Sequence, residues 1–343
     1  MNRGSFTEKG KWRRQGKNIF KHIGLNAVKI AILMLLVSIV TFILVNNSGI
    51  NPVDAYIGAD ASISAEQYAD IAAHWGLDRP PVERFLRWFA NLLKGDFGTS
   101  MLYRRPVLEV IGEKFQASLV LMGIAWVLSG IIGFILGIVA GVHKGKWIDR
   151  LIKTFCMAMI SAPVFWIALL LVMFFSVWLG WFPIALAAPM GKLAGEVTIW
   201  ERIHHLVLPA LTLSITGISG IAMYTRQKIT DILETDYILF ARARGETGRT
   251  LIKRHGLRNI MMPAVTLQFA SLNELFGGSV LAEQVFSYPG LGQAATLAGT
   301  RSDLPLLLGI TLFSALFVFT GNLVADIIYG FVAPEIREGG GNG

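Results

Sequence analysis

Six apolar stretches, each close to the length of an α-helix that crosses a lipid bilayer, dominate this chain. They lie at residues 30–45, 117–142, 155–182, 206–224, 260–281 and 304–332. A spanning helix needs about 20 apolar residues, and only 16% of the chain is charged, where soluble domains have about 25%. We therefore predict an all-α membrane protein with six transmembrane helices.

The first stretch could also be interpreted as a signal peptide, because a basic segment precedes it. Its apolar run is longer than that of an ordinary signal peptide, and five more stretches follow, so we favour a retained span. Cys156 is the single cysteine and lies in an apolar run, which excludes an intrachain disulfide and a cysteine-based metal cluster.

Lys and Arg are concentrated in three segments: the N-terminal tail, the loop after the second stretch and the strip after the fourth. With six spans these segments fall on one side of the membrane, and the excess of positive charge marks that side as cytoplasmic. Both termini are then predicted to be cytoplasmic. The net charge of +8 is explained by topology, so nucleic acid is not needed as a partner.

The chain divides into spans, tails and two soluble parts. We predict a basic cytoplasmic tail, a first span, an extracytoplasmic helical region, a core of five further spans with a cytoplasmic strip, and a C-terminal tail. Their bounds are 1–25, 26–46, 47–116, 117–333 (strip 225–259) and 334–343. In the extracytoplasmic region, "SISAEQYADIAAHWG" predicts a serine-capped helix and "PPVERFLRWFANLLKG" a helix that begins at a proline.

The cytoplasmic strip contains "ARARGETGRTLIKRHGLRN" at 241–259. Apolar residues at steps of three and four predict a helix over 230–244, ended by Gly245 and Gly248 and resumed over 250–255. Such a helix could enter the cleft of a partner protein. It could equally lie as an amphipathic helix on anionic lipid.

A longer segment of the strip, "DYILFARARGETGRTLIKRHGLRNIMMP", resembles the coupling loop of bacterial ABC importer permeases of the peptide/nickel branch. The matching positions are Asp236, Tyr237, Ala241, Arg242, Ala243, Gly245, His255, Leu257, Arg258 and Asn259. Of the broader permease signature, Glu-Ala-Ala followed four residues later by Gly, only half is present, because Leu239 and Phe240 occupy its first two places. The segments "GLDRPPVERFLRWFANLLKGDFGTS", "EQVFSYPGLGQ" and "NLVADIIYGFVAPEIR" are similar to the same branch, so the resemblance extends from about residue 25 to 338.

This resemblance implies a type I ABC importer permease fold. It implies a heterodimer with a second permease, two cytoplasmic ATP-binding subunits and an extracytoplasmic substrate-binding protein. The matching residues of the strip would couple the chain to an ATPase, with Ala241 and Gly245 in direct contact. The chain has no G-x-x-x-x-G-K-[ST] motif, so ATP and Mg²⁺ are expected on the ATPase subunits and no cofactor on this chain. Peptides are the expected cargo, with nickel or a metal chelate as the alternative.

Three further features concern packing and the translocation path. Gly133, Gly137 and Gly141, followed by Gly145, recur every four residues and predict a helix face for close packing. Glu274, beside Asn273, lies within a span, where a carboxylate is costly; it would line the path, be hydrogen-bonded in a structural role or be a protonated carboxyl. The adjacent His204 and His205 point in different directions on a helix, which favours an interfacial pair over a metal site.

Other classes of membrane protein fit the sequence less well. A secondary transporter would show internal repeats and several intramembrane charges, and the sequence shows little of either. A membrane enzyme would need a catalytic constellation, and neither H-E-x-x-H nor G-x-S-x-G occurs. A membrane sensor or scaffold remains open, and co-purification of an ATPase would discriminate, since only the ABC importer requires one.

Overall fold

A computed structural model describes residues 28–57, 64–74, 76–193, 195–246, 248–251, 254 and 256–332. Both terminal tails, 1–25 and 334–343, therefore lie outside the described residues. Among those residues the regular structure is helical, and the one extended pairing is an isolated bridge between Thr99 and Pro106. The chain forms two compact units, one of residues 1–108 and 298–319 and the other of residues 109–297 and 320–343.

The first unit contains four helices before the long core begins. They are α1 (Val28–Asn46), α2 (Pro52–Ile57), α3 (Ala65–His74) and α4 (Pro81–Leu93). Ser64 and Gln67 form a reciprocal cap at the start of α3, with N···O distances of 3.0 and 3.1 Å. Pro81 is the first residue of α4. Both helices predicted for this part of the chain are thus present, each with the predicted start.

The remaining helices follow in the order of the chain, and α5, α13 and α14 contribute residues to both units. They are α5 (Val107–Val142), α6 (Trp147–Ser161), α7 (Val164–Leu171) continued by a π-helix (Val172–Trp178), α8 (Ile199–Leu233), α9 (Asp236–Ala243), α10 (Gly248–Leu251), α11 (Leu257–Ala270), α12 (Leu272–Val285), α13 (Leu291–Thr300) and α14 (Leu304–Val332). The core of the second unit follows α8, whose buried side chains include Leu208, Leu213, Ile218, Ile221 and Ile229.

Four described helices, α1, α5, α8 and α14, are long and apolar enough to cross a membrane. The predicted third span, 155–182, is not one helix, because α6 and α7 meet at 113°. Ala162 is extended there (ψ 133°), as the residue before a proline favours, and Pro163 has no N–H to continue the helix. The predicted fifth span, 260–281, is divided at Ser271 into α11 and α12. The count of six spans stays a prediction.

Two helices are longer than their apolar stretches indicated. Helix α5 begins at Val107 rather than at 117, and α8 extends on both sides of 206–224, starting at a capping box of Thr198 and Glu201. The 35 residues of α8 make a helix about 52 Å long, well beyond the roughly 30 Å of bilayer hydrocarbon. Its ends therefore project from the membrane, where polar residues continue the helix without a hydropathy signal.

Candidate functional site

The cytoplasmic strip leaves α8 through a turn. Helix α8 ends at Leu233, the turn comprises Glu234 and Thr235, and α9 begins at Asp236. The single helix predicted over 230–244 is therefore wrong. Thr235 is extended (ψ 150°) and its hydroxyl donates to the carbonyl of Ile232 at 2.6 Å, so it closes α8 and lets α9 start in a new direction.

One face of α9 is buried within its own chain. Ile238, Ala241 and Leu251 are 0, 8 and 2% exposed and form a small apolar cluster, against which Ile232 and Leu233 pack. Ala241 therefore does not offer the surface expected of a residue in direct contact with a partner. Apolar packing within the strip instead fixes the position of α9.

The opposite face of α9 is open. Phe240 is 72% exposed, Leu239 52% and Tyr237 43%, and the side chains of Arg242 and Ala243 are exposed as well. An exposed phenylalanine in the middle of a short helix is costly in water, so this side of α9 is a candidate contact surface.

Gly245 ends α9 with a backbone conformation that favours glycine. Its φ is 90°, its N–H donates to the carbonyl of Arg242 at 2.9 Å, and the N–H of Glu246 donates to that of Ala241 at 3.1 Å. A Cβ at this position would meet no other atom of the described residues within 4 Å. The constraint at Gly245 is therefore its positive φ and not a lack of space.

The last part of the strip is only partly described. His255 lies outside the described residues, and Arg258 and Asn259 lie in the first turn of α11 with side chains that are not described. Their coupling role stays a prediction.

An ion pair that the sequence analysis missed connects α6 and α8 near the strip. Arg226 donates from Nε and Nη2 to the two carboxylate oxygens of Asp149, at 2.5 and 2.8 Å, and Asp149 is 3% exposed. Asp149 also accepts from the N–H of Gly145 at 2.8 Å. A bidentate pair of this kind holds two helices in one relative position. The sequence indicates this pair only by Asp149, an acidic residue in an otherwise basic segment.

The glycines of α5 face α8. A Cβ added to Gly133 would lie 2.8 Å from the carbonyl oxygen of Ile218, one added to Gly137 would lie 2.7 Å from that of Ala222, and one added to Gly141 would collide with Ile229. The backbones of α5 and α8 therefore approach each other closely along this face. Gly145 is not part of it, because it lies beyond the end of α5 with a φ of 79°.

The predicted path residues lie at the break between α11 and α12. Glu274 is exposed, while Asn273 is half-buried and its amide contacts the side-chain oxygen of Asn322 on α14. Glu274 and Asn273 are therefore adjacent in sequence but differ in environment. The structure gives Glu274 no hydrogen-bond partner among the described residues.

A second carboxylate, Glu283 on α12, is fully buried and was not singled out in the sequence. It accepts hydrogen bonds from the hydroxyl of Ser118 at 2.6 Å and from the N–H groups of Gly292 and Gln293 at 2.7 and 3.3 Å. The Ser118 hydroxyl also accepts from the N–H of Leu291 at 2.8 Å. Together these bonds satisfy the first turn of α13 and fix it to α5 and α12.

Asp303 has a comparable role in the first unit. Its carboxylate accepts from the Ser100 hydroxyl at 2.6 Å and from the N–H groups of Leu102 and Leu306 at 2.8 and 3.2 Å. Burial raises the pKa of the Asp303 carboxyl, and the hydrogen bonds from Leu102 and Ser100 oppose that effect. Asp303 thereby caps α14 and ties the start of that helix to the chain before α5.

The two adjacent histidines do not converge on one point. His204 contacts the carbonyl of Trp181 through Nε2 at 2.8 Å, whereas His205 contacts that of Leu186 through Nδ1 at 3.1 Å. No group of three or more metal-binding side chains occurs among the described residues.

A cavity of about 380 Å³ lies between α5, α8 and α11. Its lining is apolar except for Gln268, which is 8% exposed and donates from its amide to the carbonyl of Trp126 at 2.5 Å. The amide oxygen of Gln268 has no hydrogen-bond partner among the described residues. Val127, Ile131 and Met261 border the cavity and are exposed, so it opens to the outside of the helices.

Comparisons with known proteins agree with this arrangement. The profile of the family described as "Binding-protein-dependent transport system inner membrane component" matches residues 133–338, more than half of the chain. The oligopeptide transport system permease protein AppB of Bacillus subtilis (strain 168) is 34% identical over 306 residues, which cover 89% of this chain and 95% of AppB.

The glutathione transport system permease protein GsiC is also similar. The protein of Salmonella paratyphi A (strain ATCC 9150 / SARB42) is 36% identical and that of Escherichia coli (strain K12) 35%, each over 305 residues that cover 89% of this chain and 94% of GsiC. The inward-facing MetNI methionine ABC transporter aligns with a TM-score of 0.45 at 17% identity over 64% of this chain and 97% of that one, a likeness too weak to decide the fold. The chain belongs to the family of binding-protein-dependent transport system inner membrane components.

Proposed function

We propose that this chain is a permease subunit of an ATP-driven ABC importer, that it forms half of a translocation path, and that peptides are its cargo. The observation that carries the proposal is the likeness, along 89% of the chain, to permeases named for oligopeptide and glutathione transport. Those names favour a peptide cargo over the nickel or metal-chelate alternative.

The partners follow from the family. A second permease would complete the path, an extracytoplasmic binding protein would deliver the peptide, and two ATP-binding subunits would hydrolyse ATP with Mg²⁺. The excess of Lys and Arg in the strip and in the N-terminal tail supports an orientation with both on the cytoplasmic side. This chain then contributes no catalytic group and binds no cofactor.

Helix α9 is the proposed contact with an ATPase. Phe240 projects from its open face, while Ala241 and Ile238 pack inward and keep the helix from yielding when it is pushed. A rigid short helix with an exposed aromatic residue suits a cleft in a protein, because aromatic side chains provide much of the affinity at protein interfaces. Ala241 then acts by holding α9 in position, and Gly245 acts by ending it.

Movement of α9 would reach the spans through α8 and the Asp149–Arg226 pair. Helix α8 runs directly into the turn before α9, and Arg226 lies in its last two turns. Because Arg226 is fixed to Asp149 by two hydrogen bonds, a displacement of α8 would also move α6. We infer that this pair transmits the motion, while Glu274 and Asn273 line the path at the break between α11 and α12.

The cavity between α5, α8 and α11 is the proposed contact with the second permease. Its exposed apolar border suits the apolar side of a spanning helix of the second permease.

The test is recovery of the ATPase with the tagged permease. Phe240→Glu would place a charge in the proposed cleft, so the ATPase should be lost while the permease stays in the membrane. Met190→Glu is the matched control, because Met190 is 86% exposed and lies in a loop away from α9. If α9 instead lies on lipid, Phe240→Glu leaves ATPase recovery unchanged, which would contradict the proposal.

A further inference from the structure

Helix α4 has an apolar stripe that its own unit does not cover. Val82, Leu86 and Leu93 are 71, 58 and 74% exposed. They recur at steps of four and seven residues, which places them on one side of a helix. The polar residues Glu83 and Arg87 lie on a different side, so the exposed stripe is continuous. Phe89 shares the side of the stripe but is half-buried and stacks on Phe85.

The rest of the apolar surface of α4 packs on the end of α1. The rings of Phe85 and Phe42 meet edge to face with centres 5.2 Å apart, and Phe42 is only 6% exposed. The guanidinium of Arg84 lies 5.9 Å from the centre of the Phe42 ring and reaches Asn46 with a long hydrogen bond of 3.5 Å. These contacts fix the middle of α4 to the last two turns of α1.

The position of this attachment along α1 sets the depth of α4. The 19 described residues of α1 make a helix about 28 Å long, close to the thickness of the hydrocarbon layer. Since α1 ends at Asn46, Phe42 and Asn46 lie where hydrocarbon gives way to lipid head groups. A helix attached there lies at the same level.

The exposed surface of α1 beside this attachment is also apolar. Val40, Ile43 and Leu44 are 46, 50 and 66% exposed and face the bilayer in a spanning helix. The stripe on α4 therefore continues a lipid-facing surface. Protein contact sites are enriched in aromatic residues and arginine, whereas the three most exposed side chains of this stripe are aliphatic.

We propose that α4 is a membrane-interface helix, which lies with Val82, Leu86 and Leu93 in the boundary between acyl chains and head groups on the side where α1 ends. The ion pairs of Glu83 with Arg79 and Arg87, at 2.9 and 3.2 Å, then face water. An amphipathic helix with apolar and charged residues on different sides binds to the membrane surface, and the strength of binding increases with the apolar area that it buries. It would hold the segment between α1 and α5 on the membrane surface.

The test measures the surroundings of single residues in the membrane complex that co-purifies with the chain. In a Cys156→Ser background, a spin label is attached at Leu86→Cys, or at Arg87→Cys as the matched control one residue away. The complex is placed in vesicles of phosphatidylethanolamine and phosphatidylglycerol. Collision of the label with oxygen, which concentrates in lipid, is compared with collision with a water-soluble nickel chelate.

The ratio of oxygen to nickel collisions should be several-fold higher at position 86 than at position 87, and Val82→Cys should repeat the high value. Equal ratios at the three positions would mean that the stripe faces water, which overturns the proposal. Protection of positions 82 and 86 from both reagents would mean that a binding protein or another subunit covers the stripe, which also overturns it. Because both residues are exposed, neither change disturbs the packing on Phe42.

Discussion

Replacement of Gly137 by valine should destabilise the chain far more than the same replacement at Gly123 in the same helix. A Cβ at Gly137 would lie 2.5 Å from the Cβ of Thr225 and 2.7 Å from the carbonyl oxygen of Ala222. Carbon atoms pack best at about 3.5–4.0 Å, and a backbone oxygen cannot rotate away. Helix α8 must therefore move, and two further methyl groups add to the clash.

The magnitude follows from the matched pair. At Gly123 a Cβ would meet no atom within 4 Å among the described residues, so the two variants share the change in helix propensity and hydropathy and differ in the clash. Overpacking typically costs about 1–3 kcal/mol, and contact with backbone places Gly137→Val at the upper end, near 3 kcal/mol.

Thermal denaturation of the detergent-solubilised chain, followed by fluorescence-detected gel filtration, measures this difference. About 2 °C of midpoint per kcal/mol is expected for a chain of this size, so Gly137→Val should melt roughly 6 °C below Gly123→Val. Equal midpoints for the two variants would refute the close packing of α5 on α8.

Three other changes test the strip and the path. Asp149→Asn should lower the free energy of unfolding by about 3 kcal/mol, because Arg226 keeps a charge in a mostly buried site. Glu234→Gln, which removes an exposed ion pair with Lys144, should cost under about 1 kcal/mol. Equal midpoints of the two variants in thermal denaturation would contradict the first expectation. Gly245→Val forces a branched residue into a positive φ at a cost of about 1–2 kcal/mol. Substrate-stimulated ATP hydrolysis by the complex should therefore fall, while membrane insertion survives. Undiminished stimulation would argue against the role of Gly245 in ending α9. Glu274→Gln should lower peptide uptake with assembly and basal ATPase activity intact, and unchanged uptake or a dissociated complex would remove Glu274 from the path.

The all-helical fold could be predicted because long apolar runs are visible directly in the sequence. Breaks within these runs are much harder to recognise there. Pro163 offered a signal for the 113° bend, since proline and the residue before it interrupt helices. Ser271, which divides α11 from α12, offered almost none. The long ends of α8 were missed because polar residues outside the bilayer continue a helix without raising hydropathy.

The buried acids could not be predicted, since each depends on a partner far along the chain. Glu283 bonds to Ser118 across 165 residues, and Asp149 to Arg226 across 77. On α9, the positive φ of Gly245 follows from its place after a helix end. The burial of Ala241 does not follow from the sequence, because apolar residues occur on both faces of α9. Only the packing against Leu251 shows which of the two faces is buried.

Uptake into proteoliposomes tests the central proposal most directly. The chain, its second permease, the ATP-binding subunits and the binding protein are reconstituted together, and accumulation of a labelled peptide is measured. We expect accumulation that requires both ATP and the binding protein and that survives collapse of the ion gradients. Accumulation without ATP, abolished by ionophores, would identify a secondary transporter and contradict the account.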